Sequence, residues 1–272
     1  MKQITIRQVL LAAVILLSVA ACDKDETENS NPPQQELPNP LPANALVKRL
    51  KWSDTDHQTL TYNAKGQVTQ LKSQWQFEQG DPSQIKIITY DFQYDGQDRP
   101  ILVTETGGLT TRYSYQDNLV DKVQEFYAGT IVMKDITYQY DAHRRIAGQI
   151  WKVAGMPGGP VTTYKHVFSY DAKGNLTKLE KFEQGENQQY ELVETTEYSD
   201  FDDKINPTSW VDQSPFLPQA WFQYNNPQQV VRAVSGNQPE VITYRYEYNA
   251  EGLPTVRRIK KAGGVTTQQY QY

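Results

Sequence analysis

The chain is poor in the residues that staple a fold or carry acid–base and metal chemistry. Its 272 residues include one cysteine, which excludes an internal disulfide framework and any cysteine-cluster metal site. Three histidines, His57, His143 and His166, stand far apart and lack the glutamate-flanked spacing of a zinc site. Basic charge is not in excess: 27 Lys+Arg against 32 Asp+Glu leave a net charge of -5. That balance argues against a nucleic-acid partner held by backbone electrostatics. No G-x-S-x-G or P-loop phrase occurs. Beyond the first 21 residues no segment carries the i, i+3, i+4, i+7 apolar recurrence of an amphipathic helix. What is abundant is tyrosine, at 18 against 8 phenylalanines, together with 16 glycines and 15 prolines. Such an excess of tyrosine calls for aromatic positions that pack through the ring and stay wet at the hydroxyl.

The first residues read as an address. Lys2 and Arg7 precede an apolar run, Val9 to Val19, which is 11 residues long. A bilayer core of ~30 Å needs about 20 helical residues, so this run is a signal h-region rather than a span. It ends in Val19-Ala20-Ala21-Cys22, which resembles the lipobox of bacterial lipoproteins. By that resemblance residues 1–21 are a lipoprotein signal peptide, and Cys22 takes a diacylglyceryl thioether and becomes the acylated N-terminus, joining the protein to a membrane. Two or more acyl chains at ~0.8 kcal/mol per buried CH₂ convert transient contact into stable anchoring. Residues 22–44 are dense in Pro, Asn, Gln and acid and lack apolar periodicity, which predicts a disordered polar tether. Asp23-Lys24-Asp25-Glu26 resembles the acidic export signal of Bacteroidota surface lipoproteins, and reads equally as a solvated linker. Loss of the leader would leave 25 basic and 32 acidic residues, a net charge of -7.

Residues 45–272 form one β-repeat domain, in which one phrase recurs from residue 60 to the end: an aromatic-x-aromatic segment, Asp or Asn, then a turn. The best copies are Tyr62-Asn63-Ala64-Lys65-Gly66, Tyr170-Asp171-Ala172-Lys173-Gly174 and Tyr248-Asn249-Ala250-Glu251-Gly252. Degenerate copies start at Tyr94, Tyr115, Tyr140, Phe201 and Tyr224, and the anchoring aromatics lie 21 to 32 residues apart. A period in this range marks a repeat architecture. Asp or Asn accepts hydrogen bonds from amides two residues on, and the glycine supplies a left-handed backbone position that closes a hairpin. Before the turn, Tyr244, Tyr246 and Tyr248 alternate with Arg245 and Glu247, and Tyr164, His166, Phe168 and Tyr170 alternate likewise. Period two means strands with one aromatic and one polar face. After the turn Val68 and Leu71, or Leu176 and Leu179, sit three apart, which calls for a bulge.

A second, variable set of turns alternates with the first. The expected fold is therefore all-β: a long antiparallel up-and-down meander of roughly 16–18 strands of about 6–11 residues, curled into a barrel-like or flattened two-layer structure. Residues 203–220 break the period and read as an inserted loop. The phrase Tyr170-Asp171-Ala172-Lys173-Gly174-Asn175-Leu176 resembles the YD repeat of RHS-type proteins. The layout of lipobox, tether and degenerate repeats resembles a group of Bacteroidota lipoproteins with a porin-like β-fold, with Asp202-Asp203-Lys204-Ile205-Asn206-Pro207 a matching phrase. Departures are visible: Gln116 replaces the acid, Asp98, Arg144 and Gln228 replace the glycine, and Pro254 displaces the first aliphatic. The resemblance implies a scaffold without catalytic residues, residing at the outer membrane.

Candidate sites are few. Trp52, Trp75, Trp151, Trp210 and Trp221 could stack on sugar rings. Trp210 and Trp221, which flank the irregular loop, are the best placed to bind a glycan, although a tryptophan usually fills an interior. Asp54/Asp56 and Asp200/Asp202/Asp203 are the densest acid clusters. Their position at turns makes them amide caps before calcium ligands or catalytic pairs. A membrane-spanning barrel is the main structural alternative, against which stand Lys134, Glu240 and His166 on the aromatic face and a mean hydropathy of -0.69. The expectation is thus a non-enzymatic, lipid-anchored β-repeat protein with no cofactor, a binding or structural module whose partner is a glycan or an envelope protein. A glycan hydrolase is the remaining alternative and needs a cleft with two carboxylates at catalytic separation.

Overall fold

The computed structural model describes residues 43–77, 81–211, 215–218 and 220–272. The leader, Cys22 and nearly all of the tether therefore lie outside the described residues. Sixteen strands follow in order: β1 Arg49–Lys51, β2 His57–Tyr62, β3 Val68–Gln76, β4 Ile85–Tyr94, β5 Pro100–Glu105, β6 Leu109–Gln116, β7 Leu119–Tyr127 and β8 Ile131–Tyr140. The second half comprises β9 Ile146–Ala154, β10 Val161–Tyr170, β11 Leu176–Gln184, β12 Tyr190–Ser199, β13 Gln229–Val234, β14 Glu240–Tyr248, β15 Pro254–Lys261 and β16 Gly264–Gln271. Each strand pairs with its sequence neighbours, and β1 pairs with β16 through Arg49↔Gln271 and Leu50↔Tyr270, so the sheet closes into a barrel. Closure removes both edges that an open meander of this length would expose.

The repeated phrase builds one end of this barrel. Asp141 Oδ1 accepts the amides of His143 and Arg145 at 2.9 Å, and the Arg144 amide returns to the Asp141 carbonyl at 3.0 Å. Asn63, Asp95 and Asp171 do the same in their own turns. The glycine position is left-handed throughout, at φ 77° in Gly66, 87° in Gly174 and 76° in Gly252. Asp98 at 63° and Arg144 at 61° replace the glycine yet keep the conformation. The register shifts immediately before Tyr62, Tyr94, Tyr115, Tyr140, Tyr170 and Tyr248, which is the bulge that the three-residue spacing required. Through it Leu60 faces Leu71 and Tyr62 faces Val68, all on the inner side.

These tyrosines tie neighbouring hairpins into a girdle. Each reaches past its own turn and donates its hydroxyl to the carbonyl that opens the preceding hairpin's return strand. Tyr94 bonds Val68, Tyr140 bonds Val120, Tyr170 bonds Ile146 and Tyr272 bonds Pro254, all at 2.8 Å, and Tyr115 bonds Pro100 at 2.6 Å. Tyr62 closes the ring onto Val47 at 2.8 Å. Arg99 and Arg145 reinforce it, each gripping the aspartate of its own turn while lying 4.5 and 4.6 Å over the rings of Tyr115 and Tyr170. The girdle is interrupted where the inserted segment enters: Tyr248 bonds the Asp202 carboxylate instead.

The insert, residues 200–228 between β12 and β13, is longer than its broken periodicity indicated, and it turns inward. Its chain doubles back through Asn206 N to Tyr224 O at 2.8 Å and an isolated bridge, Ile205↔Asn225. Tyr224 and Gln228 therefore belong to the insert and start no hairpin, a correction to the repeat reading of that stretch. Val211, Leu217 and Phe222 join the same buried cluster as Phe92, Tyr113, Val123, Ile136 and Phe168. Full burial of such side chains contributes about 1.5–3 kcal/mol each. Tyr113 fixes the insert by donating to the Phe216 carbonyl at 2.8 Å, and the fully buried Asn175 latches it to the Tyr170 turn through Asn225.

The aromatic face of every repeat thus lines the interior, with Lys134, His166 and Glu240 on it. The outer face is polar: Lys122 pairs with Asp135 at 2.7 Å, Lys178 with Glu180 at 2.7 Å and Glu247 with Arg258 at 2.5 Å. Exposed apolar side chains such as Phe77, Met156, Val161, Leu192 and Val265 gather at the variable-turn end rather than in a band around the wall. A lipid-facing barrel needs the reverse, an apolar belt outside and polarity inside.

Candidate functional site

A cleft of about 210 Å³ opens at the girdle end, between the turns of β6–β10 and the returning half of the insert. One wall comes from the hairpins. The β6–β7 connection is a tight two-residue loop, with Asp117 at φ 50° and Asn118 at 61°, in place of the five-residue repeat turn. Shortening this turn lowers the rim beside the longer Asp141 turn, which carries His143, Arg144 and Arg145. Tyr115, Tyr140 and Tyr170 present their rings here, their hydroxyls being committed to main-chain carbonyls. Burial raises the pKa of all three phenols, so they remain neutral. The opposite wall is Leu217, Ala220, Trp221, Phe222 and Tyr224 of the insert. Trp221 and Tyr224 stack, with centroids 5.7 Å apart and planes 24° apart.

The electrostatics are one-sided. Among the described residues the lining holds two arginines and a histidine and no carboxylate. Arg145 is neutralised by Asp141 at 2.7 Å. Arg144 is exposed; it donates to the Asp117 carbonyl at 2.9 Å and has no carboxylate within ion-pair distance among the described residues. The cleft therefore offers an aromatic platform, one uncompensated guanidinium and side-chain donors.

The two tryptophans singled out by the sequence part company. Trp221 lines the cleft. Trp210 packs edge-on against Phe92 and Phe216, at 6.3 and 6.1 Å, in the interior. Trp151 likewise lies inside, 5.0 Å from His166. The acid clusters serve as turn caps: Asp56 accepts from Ser53 and the Gln76 amide, and Asp202 from the amides of Lys204 and Asn226. Sequence reasoning missed Arg144 and Asn118 as cleft residues. The available signal was the substitution itself, because a bulky residue in a left-handed glycine position is tolerated only where something compensates.

A second group of ionisable residues faces inward, away from the cleft. Lys134 pairs with Glu125 at 3.0 Å. Burial and then the Glu125 charge raise the pKa of Glu105, and burial followed by both glutamates pushes Tyr90 up to about 12. Burial and then Lys181 lower the pKa of His166 to about 4, opposed by Glu194, which is itself paired with Arg232 at 2.7 Å. With Glu125 and Glu194 both engaged, these contacts read as charge pairs holding strands in register.

Solved structures share the architecture. A porin-like protein from Bacteroides uniformis aligns over 84% of this chain and 97% of its own, with a TM-score of 0.57 at 13% identity. A porin-like protein from Bacteroides vulgatus aligns over 83% and 98%, with a TM-score of 0.57 at 11% identity. Likeness at such identity establishes the barrel fold alone. No protein-family model and no curated protein sequence matches the chain.

Proposed function

We propose that the chain is a non-enzymatic, lipid-anchored binding module of the cell envelope, residing at the outer membrane and displaying its ligand cleft at the tyrosine-girdle end. The observation that carries this reading is the inverted polarity of the barrel. A closed wall with ion pairs outside and aromatics inside gains nothing from lipid contact, so membrane attachment falls to the acylated Cys22 and its tether. Fold likeness to the Bacteroides porin-like proteins supports an envelope setting. The Trp221–Tyr224 platform favours a glycan as ligand over a flat protein partner, because a concave aromatic wall stacks on a sugar's C–H face. Cells fed a radiolabelled fatty acid should label the wild-type protein and leave Cys22→Ala unlabelled; label retained in Cys22→Ala defeats the anchoring. Binding on a broad glycan array, lost in Trp221→Ala, is the expected result for the cleft, and silence across the array argues for a protein partner instead.

A further inference from the structure

We infer that the cleft selects an acidic sugar, a hexuronate-type residue whose ring lies on Trp221 and whose carboxylate meets Arg144. This rests on the glycan-binding reading and names the ligand's chemistry. Hydroxyls of neutral sugars donate as well as accept, and a site for them supplies acceptors. Here the described lining contains no Asp or Glu, and the hydroxyls of Tyr115, Tyr140 and Tyr170 donate to carbonyls at 2.6 to 2.8 Å, which leaves neutral lone pairs as the side-chain acceptors. Asn118 Oδ1 already accepts from Arg99 at 3.2 Å. What remains is a donor-rich surface: the Arg144 guanidinium, the His143 ring and the Asn118 amide. Such a surface asks for a ligand that brings acceptors and negative charge.

The charge count sets the ligand's class more narrowly. Asp141 cancels Arg145, leaving one guanidinium, which matches a monoanion. The backbone amides of His143 and Arg145 are taken by Asp141, so no amide cradle is left for a polyphosphate. In a chain of net charge -5, an acid-free cleft is a local exception to the general field. Arg144 also occupies a φ of 61°, where three sister turns use glycine at 76° to 87° and a fourth uses the short Asp98 at 63°, so local backbone economy does not account for a residue as long as arginine there.

The test titrates the full chain, purified in detergent, with trigalacturonate and with the neutral galactose trisaccharide of the same linkage, following tryptophan fluorescence and heat. Trigalacturonate should bind at least about 10-fold tighter, equivalent to about 1.4 kcal/mol. Arg144→Gln should erase that ratio while retaining the neutral sugar's affinity. Gln188 already holds a left-handed position, φ 64°, in another turn, so the substitution is compatible with the backbone. Trp221→Ala should lose both ligands while still unfolding in a single cooperative transition. Equal affinity for the two sugars, or an undiminished ratio in Arg144→Gln, overturns the acidic selectivity and leaves the glycan module standing. Binding of neither sugar overturns both. ATP binding tighter than trigalacturonate overturns the sugar assignment.

Discussion

Acidification should weaken this fold well above the pH at which its carboxylates titrate, and His166 is the reason. The ring lies inward on β10, 5.0 Å from Trp151 and 6.5 Å from Phe168, and pairs across the strand with Lys181. Burial, then Lys181, lower its pKa to about 4 from the ordinary 6.5. A histidine with a depressed folded-state pKa contributes stability that is complete above the unfolded value and is lost as pH falls toward the folded one. At pH 5 the unfolded chain is almost fully protonated at this ring and the folded chain about one-tenth, so about 2 kcal/mol is lost relative to pH 8. His57, also lowered by burial, adds in the same direction, so the measurement is a difference from His166→Phe. Depressed carboxylates such as Asp141 and Glu194 lose their contribution mainly below about pH 5, at the lower edge of the window. Chemical denaturation midpoints of wild type and variant at pH 8, 7, 6 and 5 give the answer. A wild-type stability that runs parallel to that of His166→Phe over this range would refute the inward placement of the aromatic face.

Other expectations follow from the girdle and the insert. Tyr140→Phe leaves the Val120 carbonyl without its partner and should cost about 1 kcal/mol in denaturant melts, against no measurable change for the exposed Tyr190→Phe. Trp210→Ala should cost about 3–5 kcal/mol by opening a cavity under the insert, and Trp221→Ala under about 1 kcal/mol, a contrast readable in the same melts. Gly66→Ala meets only Leu46 Cδ1 at 3.6 Å, so its expected loss of about 1–2 kcal/mol comes from φ 77° rather than from crowding. Arg144→Gly should run the other way, holding or raising the melting temperature.

What could be read in advance and what could not divides along local and non-local chemistry. Asx turns, left-handed glycines, the bulge and the two-faced strands are written within a dozen residues. From them the all-β meander, its strand number and its hairpins follow. Closure was harder to see, because β1 is three residues long and has no period of its own. The path of the insert was out of reach: Trp210 and Trp221 look alike in sequence, and only packing against Phe92 on one side and the Asp141 turn on the other separates interior from cleft. The tyrosine hydroxyls show the same limit. Their acceptors belong to the adjacent hairpin, some 15 to 26 residues away. The reading against a membrane-spanning wall was argued from Lys134, Glu240 and His166, which turn out to face inward; the ion pairs outside are the ground that packing supplies.

The most direct test of the account is a fractionation. The barrel should be held to membranes by Cys22 alone, so a Cys22→Ala chain secreted behind a conventional signal peptide should appear in the soluble envelope fraction. It should be folded and monodisperse without detergent, while the wild type partitions into detergent. A Cys22→Ala barrel that stays in the membrane pellet through alkaline carbonate and needs detergent to remain dispersed would contradict it.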